Sequence, residues 1–191
     1  MRSAPGGEII RAPRLYMRPP EVSDHAAWAE LRGASRAFLE PWSPEWTEDE
    51  LTMAAWRRRL RGYWRGMRDG SMLPLLLFHA DSHALLGALT LGNIRRGNVQ
   101  SANLGYWIGA PHARQGYMTE AVRAAVRHAF AGLRLHRVEA ACIPDNIPSR
   151  RLLVSCGFRE EGLARQYLRI NGRWRDHVLY ALLREDLSPH P

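Results

Sequence analysis

Two apolar runs, LPLLLFHA at 73–80 and ALLGALTLGNI at 84–94, are separated by only Asp81-Ser82-His83. A link that short has to be a tight turn, so the pair reads as a β-hairpin. A third strand signal, SANLGYWIGA (101–110), follows and ends near Gly109 and Pro111. The chain then turns helical over 115–131, where Met118, Val122, Ala125, Val126, Ala129 and Phe130 recur at helical spacing. LHRVEAACI (135–143) is a strand again. DNIPSRRLLVSCGF (145–158) is a helix with Pro148 in the first turn, where proline is tolerated, and Gly157 as its stop. FREEGLARQYLRI and GRWRDHVLYALL are two strands joined at Asn171-Gly172, a strong hairpin signal.

Upstream, RLYMRPP (14–20) is a short strand and SDHAAWAELRGAS (23–35) a helix with Ser23 or Asp24 as N-cap. In FLEPWSPEW (38–46), Pro41 and Pro44 forbid a regular helix, leaving an aromatic-rich irregular loop. Residues 47–67 return to helix, with Thr47 and Glu50 placed as a capping box. Helices interrupting a mixed, mostly antiparallel sheet define a single α+β domain of about seven strands and about four helices. Its expected span is 14–187, with 1–13 a partly ordered leader and 188–191 a tail. A length of 191 residues suits one domain.

No apolar run approaches the roughly 20 residues that span a bilayer, so no membrane partner is expected. The basic start lacks an apolar signal core. Two cysteines, Cys142 and Cys156, cannot build a disulfide framework or, alone, a zinc site; both sit in apolar settings and read as buried free thiols. No metal and a cytoplasmic location are the expectations. A net charge of +8, with arginine dominating, favours nucleic acid, ribosomes or anionic cofactors as partners. No nucleic-acid motif accompanies it. Arg57-Arg58-Arg59-Leu60-Arg61 reads as a solvated helix face, with ribosome or rRNA contact the sharper alternative.

Residues 113–121, ARQGYMTEA, place a small basic loop against a helix start. Free N–H groups and the macrodipole make such a place an anion site. Gly116 permits close backbone approach, Arg114 adds a cation and Thr119 a hydroxyl, so a pyrophosphate fits across Arg114, Gln115, Gly116, Tyr117, Met118 and Thr119. A second helix start carries Asp145-Asn146-Ile147-Pro148-Ser149. There Asn146 can bond an amide-bearing ligand and Ser149 lies one turn in.

Two such starts after neighbouring strands resemble the acyl-coenzyme-A site of the Gcn5-related N-acetyltransferase (GNAT) superfamily. Gly105-Tyr106-Trp107-Ile108-Gly109, Gly116 to Ala121, Asp145-Asn146 with Ser149, and Gly157 to Gly162 resemble its RimJ/RimL branch. The tail Asn171 to Val178 and the loop Phe38-Leu39-Glu40-Pro41-Trp42 resemble the RimJ type in particular. Aligned on Gly116, the family phosphate pattern, Gln/Arg-x-x-Gly-x-Gly/Ala, meets Ala113 and Met118 at its two ends here, so the strict pattern is broken at both ends while the backbone amides remain.

The resemblance implies splayed strands that admit acetyl-CoA and direct acetyl transfer to a free amine in a ternary complex. The implied acceptor is the N-terminal alanine of a ribosomal protein. It implies an N–H near Trp107 or Ile108 on the thioester carbonyl, Asn146 orienting the cofactor arm, and Ser149 giving a proton to the leaving thiolate. The base is not assigned: Leu168 stands where RimL-like relatives carry a glutamate, and Asn103 where many members carry an acid. Glu40, Asp176, His177, or water with backbone carbonyls remain. Phe38, Glu40, Trp42, Trp46, Tyr167, Trp174 and His177 are the expected acceptor wall. A small-amine acetyltransferase and a non-catalytic CoA-binding ribosome assembly factor are the competing readings, and a monomer or homodimer is expected.

Overall fold

Both expected hairpins form in the computed structural model, which describes residues 9–187. Asn171 and Gly172 have φ of 43° and 75°, the left-handed pair that a two-residue hairpin turn demands. At the other hairpin, His79 N–H donates to the Ala84 carbonyl at 2.9 Å.

The described strands are β1 (Ile10–Arg11), β2 (Leu15–Arg18), β3 (Leu73–His79), β4 (Leu85–Arg95), β5 (Ser101–Ile108), β6 (Arg137–Cys142), β7 (Arg159–Ile170) and β8 (Arg173–Leu183). The helices are α1 (His25–Ala34), α2 (Arg36–Leu39), α3 (Met53–Arg68), α4 (Tyr117–Ala131) and α5 (Ile147–Ser155). One eight-stranded sheet runs β1-β2-β3-β4-β5-β6-β8-β7. Only β5 and β6 pair in parallel; the other neighbours are antiparallel.

The continuous apolar runs are explained by burial on both faces. Leu75, Leu77 and Leu89 meet α4 through Val122, Val126 and Ala129. Leu76, Phe78 and Leu85 meet Trp28 of α1 and Trp56 and Leu60 of α3. This second cluster draws nothing from β6, β7 or β8, so α1 and α3 leave that half of the sheet face uncovered. The strand period of two turns Leu104 and Tyr106 toward α4 and Trp107 toward α1.

Several sequence expectations shift. The sheet has eight strands rather than about seven because Ile10–Arg11, within the expected leader, pairs with β2. A fifth helix appears because Arg36–Leu39 closes one turn before Pro41. The helix expected from 47 begins at Met53, capped by Thr52, whose hydroxyl accepts from Ala55 N–H at 3.2 Å. Thr47 and Glu50 do not cap it, since their side chains bond Asp49 and Arg59. Asp24 does stand at the N-cap of α1, but its side chain makes no capping bond there; its carboxylate holds the Arg18 guanidinium at 2.6 and 2.8 Å. Residues 1–8 and 188–191 lie outside the described residues.

Strand β7 is an edge strand with two interruptions in register, between Glu160 and Gly162 and between Ala164 and Leu168. The second is clamped: Gln166, at φ 47°, donates its N–H to the Asp176 carboxylate at 2.8 Å. Among the described residues, no helix is long and apolar enough to cross a membrane, and no cluster of three metal-ligating side chains exists.

Candidate active site

The one parallel pair is also the one that parts. Register between β5 and β6 holds from Ser101↔Arg137 to Leu104↔Ala140 and then stops. Beyond it, β5 stays on β4 as far as Gly87↔Ile108. Gly87 makes this possible: a Cβ there would lie 2.3 Å from the Trp107 carbonyl oxygen. Helices α4 and α5 follow β5 and β6, so both helix starts lie at the carboxyl end of the parallel pair, where open sheets place ligands.

The start of α4 is built as an anion cradle. Arg114 and Gly116 have φ of 61° and 83°, and no side chain caps the helix at Gly116. Arg114, Gln115 and Gly116 are exposed. Arg14 braces the turn, donating to the Gln115 carbonyl at 2.9 Å and to Glu120 at 2.6 Å. Tyr117 is packed under the Arg14 guanidinium and against His79, and Met118 is buried, so each offers a ligand only its backbone amide. The Gln115 side chain bonds the Pro111 carbonyl at 2.8 Å. A pyrophosphate suits free amides at a positive helix end. Gly116→Ala would strain the left-handed residue and crowd Arg14 Nη2, 3.1 Å from the new Cβ. We expect the KM for acetyl-CoA to rise about tenfold, as a cost of 1–2 kcal/mol implies; an unchanged KM in steady-state kinetics would remove residues 114–119 from the cofactor site.

Across the parting, Ser149 Oγ lies 2.8 Å from the Tyr106 hydroxyl. Burial pushes the Tyr106 phenol well above its usual pKa, so it remains a neutral hydrogen-bonding group. Asn146 is the N-cap of α5, its side-chain oxygen accepting from Ser149 N–H at 3.2 Å. Only its amide NH2 is left for a cofactor arm. Cys142 and Cys156 are buried and free, and burial raises both thiols.

On the opposite face, the uncovered half of the sheet holds a cavity of about 390 Å³. Asn103, Glu139, Glu161, Tyr167, Leu168 and Leu179 contribute to its wall. Glu139 sits between Arg95 at 3.0 Å and Arg137 at 2.8 Å. Arg137 also grips Glu161 and holds its carboxyl below the usual carboxylate range. Asn103 Oδ1 is buried and has no donor. The wall therefore combines one unpartnered acceptor, Asn103 Oδ1, with two carboxylates already paired to Arg95 and to Arg137, which lines the cavity as well. Tyr106 and Glu161 fall within stretches that carry the family resemblance, but no local signal assigned a role to either of them, or to Glu139; the roles come from pairings far apart in the chain.

The candidate bases separate. Asp176 is spent on the β7 bulge. Glu40 is exposed and pairs with Arg36 at 3.3 Å. His177 is 3% exposed and lies edge-on to Tyr167, with ring centroids 5.8 Å apart. Its Nδ1 is 3.0 Å from the Arg175 carbonyl, which can only accept, so Nε2 carries the lone pair. Leu168 and Asn103 both line the cavity and cannot take a proton.

The expected acceptor wall is partly assembled. Ser43, just after Phe38, Glu40 and Trp42, accepts from Asn171 N–H at 2.9 Å, which joins this segment to the β7–β8 tip. Phe38, Trp42 and Tyr167 are exposed. Trp174 is 62% exposed, alternates to the face opposite His177 and is absent from the cavity wall. Trp46 is buried, stacked on Arg32, and Trp107 carries the same guanidinium 5.2 Å from its ring centre. Burial lowers the pKa of Arg32, whose Nη2 reaches Glu50 at 3.3 Å. Trp46 and the Trp107 ring are thus packing groups.

Comparison with known proteins gives the same picture. Residues 14–159 match the acetyltransferase (GNAT) domain family. The chain is 37% identical over 170 residues to the [ribosomal protein uS5]-alanine N-acetyltransferase of Escherichia coli K12, covering 88% of each chain. It is 36% identical over 178 residues to YjcK of Bacillus subtilis, described as a probable N-acetyltransferase, covering 93% of this chain and 98% of that one. Among solved structures, Mycobacterium smegmatis RimJ in complex with CoA-disulfide superposes with a TM-score of 0.89 at 36% identity, covering 97% of this chain and 90% of that one.

Proposed function

The chain belongs to the GNAT acetyltransferase family and is an acetyl-CoA-dependent N-acetyltransferase; from that premise we propose that its acceptor is the N-terminal α-amino group of a ribosomal protein that begins with alanine. The observation that carries the proposal is the parted β5–β6 pair, with the Ser149–Tyr106 contact on one face and, on the other, an open cavity lined by Asn103, whose Oδ1 is unpartnered. Acetyl-CoA supplies the activated thioester. The α4 amides hold its pyrophosphate, and the Ile108 N–H polarises the carbonyl: Gly109 N–H bonds Leu86 on β4, so the period of two sends the Trp107 N–H to β4 and leaves the Ile108 N–H facing the parting. Asn146 orients the pantetheine arm, and Ser149 gives the proton to the departing thiolate.

The acceptor enters from the cavity side. Its amine is drawn to the unpartnered Asn103 Oδ1, with Phe38, Trp42 and Tyr167 against the peptide. An α-amine with a reference pKa near 8 needs only a modest base. We assign that role to His177 Nε2 acting through water, because His177 shares the cavity-side face of β8 with Leu179 and packs on the wall residue Tyr167, although it is buried behind the wall rather than part of it; Asp176 bonds Gln166 and Glu40 pairs with Arg36. Positioning the amine beside the thioester supplies much of the rate. The similarity to the uS5-alanine enzyme supports the acceptor class, and the cytoplasm is where such an acceptor and acetyl-CoA meet.

The test is mass-spectrometric acetyl transfer to peptides that differ only in their first residue, with free polyamines alongside. Acetylation of alanine-first peptides is expected. Modification of polyamines alone would move the chain to the small-amine class, and cofactor binding without any transfer would favour a non-catalytic role.

A further inference from the structure

We propose that the outward face of α3 is an RNA-binding surface that holds a single-stranded or loop segment by its phosphates and stacks a base on Trp64. All 27 cationic side chains other than histidine are arginine. Four of them, Arg57, Arg61, Arg65 and Arg68, recur every three or four residues on α3 and are exposed. At a rise of about 1.5 Å per residue they form one stripe roughly 16 Å long. Ala55, Trp56, Leu60 and Gly66 bury the opposite side of the helix, so packing does not require this stripe.

The stripe is free of close ion pairs. Among the described residues, none of the four lies within 4.0 Å of a carboxylate, whereas their neighbours Arg58 and Arg59 are paired with Asp49 and Glu50. Asp69 attracts Arg65 and Arg68 only at longer range, its Oδ1 accepting from the Ser71 N–H and hydroxyl, so one carboxylate faces four guanidinium groups. Trp64 falls within the same stripe and is 36% exposed, while Trp28 and Trp56 on the core side are buried.

Row spacing and side-chain type select the partner. Guanidinium forks suit phosphate oxygens, and an indole plane beside them suits an unpaired base. A bilayer would ask for an apolar face, and Trp64 is the only large exposed apolar residue on α3. An acidic peptide would use the charge but not the ring. The surface lies on β3 and β4, apart from the cavity and the α4 start, so the inference stands independently of the acceptor assignment.

The experiment is fluorescence anisotropy with a mixed-sequence single-stranded RNA of about 16 nucleotides. Log affinity is expected to fall with log salt at a slope near −3, about 0.7 for each of four phosphate contacts. Replacing Arg57, Arg61, Arg65 and Arg68 together by alanine, a strong helix former, is expected to abolish binding while the thermal midpoint and acetyl transfer hold. Trp64→Ala is expected to weaken binding about tenfold and leave the slope unchanged. Wild-type RNA affinity in the fourfold variant would overturn the proposal. So would equal binding of polyglutamate or anionic phosphatidylglycerol vesicles with Trp64 dispensable.

Discussion

Ser149→Ala is expected to lower kcat about 100-fold, within the range that a general acid contributes, and to leave the KM for acetyl-CoA nearly unchanged. Ser149 Oγ stands at the parting of β5 and β6, 2.8 Å from a phenol that burial keeps protonated. Donating to Oγ, Tyr106 stabilises the charge that builds there as Ser149 hands its proton to the thiolate. Tyr106→Phe keeps the ring and removes that bond, with an expected loss of about tenfold, in line with one hydrogen bond to a developing charge. Because the two groups act as a unit, the double variant is expected to be no slower than Ser149→Ala alone. Steady-state and single-turnover kinetics decide this. If Ser149→Ala turns over at the wild-type rate, the hydroxyl is only part of the α5 start; if the two losses multiply, Tyr106 acts by some other route.

Gly87→Ala is the substitution expected to damage the fold most per atom added. The new methyl group would meet the Trp107 carbonyl oxygen at 2.3 Å and Ile108 Cα at 3.0 Å, both backbone, so no side chain can step aside. Overpacking of this kind costs up to about 3 kcal/mol, and in a chain of this size each kcal/mol lowers Tm by about 2–4 °C. A fall of roughly 6–12 °C is therefore expected in differential scanning calorimetry. The displaced strand has one direction to go, toward β6, so the cofactor opening narrows and acetyl-CoA affinity falls with Tm. Gly62→Ala is the control. It sits on α3 with nothing within 4 Å of its Cβ, and alanine there is expected to raise stability by about 0.5–1 kcal/mol. A Gly87→Ala protein with wild-type Tm would show that β5 does not depend on this close approach.

Local signals carried much of the architecture. The Asp81–His83 and Asn171-Gly172 turns, the α4 periodicity and the Pro148 helix start each concern neighbours in the chain, and each formed where expected. Capping was less legible at α3. Thr47 and Glu50 have the spacing of a box, but Arg58 and Arg59, a turn or more into the helix, draw Asp49 and Glu50 away and leave the cap to Thr52. The site divides in the same way. The α4 loop and the Asn146–Ser149 start can be read from short motifs. The motif around Tyr106 is legible but its bond to Ser149 is not, because the partner is 43 residues away, and Glu139 and Glu161 become wall groups only when β6 and β7 come to flank β8. Asp176 and His177 are adjacent in sequence and look interchangeable; one bonds a backbone N–H in β7, and the other turns to Tyr167.

The interruptions in β7 matter beyond the site. A sheet with exposed rims invites any extended chain to add itself, and long flat rims seed aggregates. Here one rim is β1, only two residues long. The other is β7, twelve residues long but twice broken in register and carrying Arg159, Arg165 and Arg169. The clamp from Asp176 to Gln166 keeps the second break in place. Among the described residues a misfolded neighbour thus meets no long straight template on either rim, which is the geometry expected to hinder fibre growth on an eight-stranded sheet open at both ends.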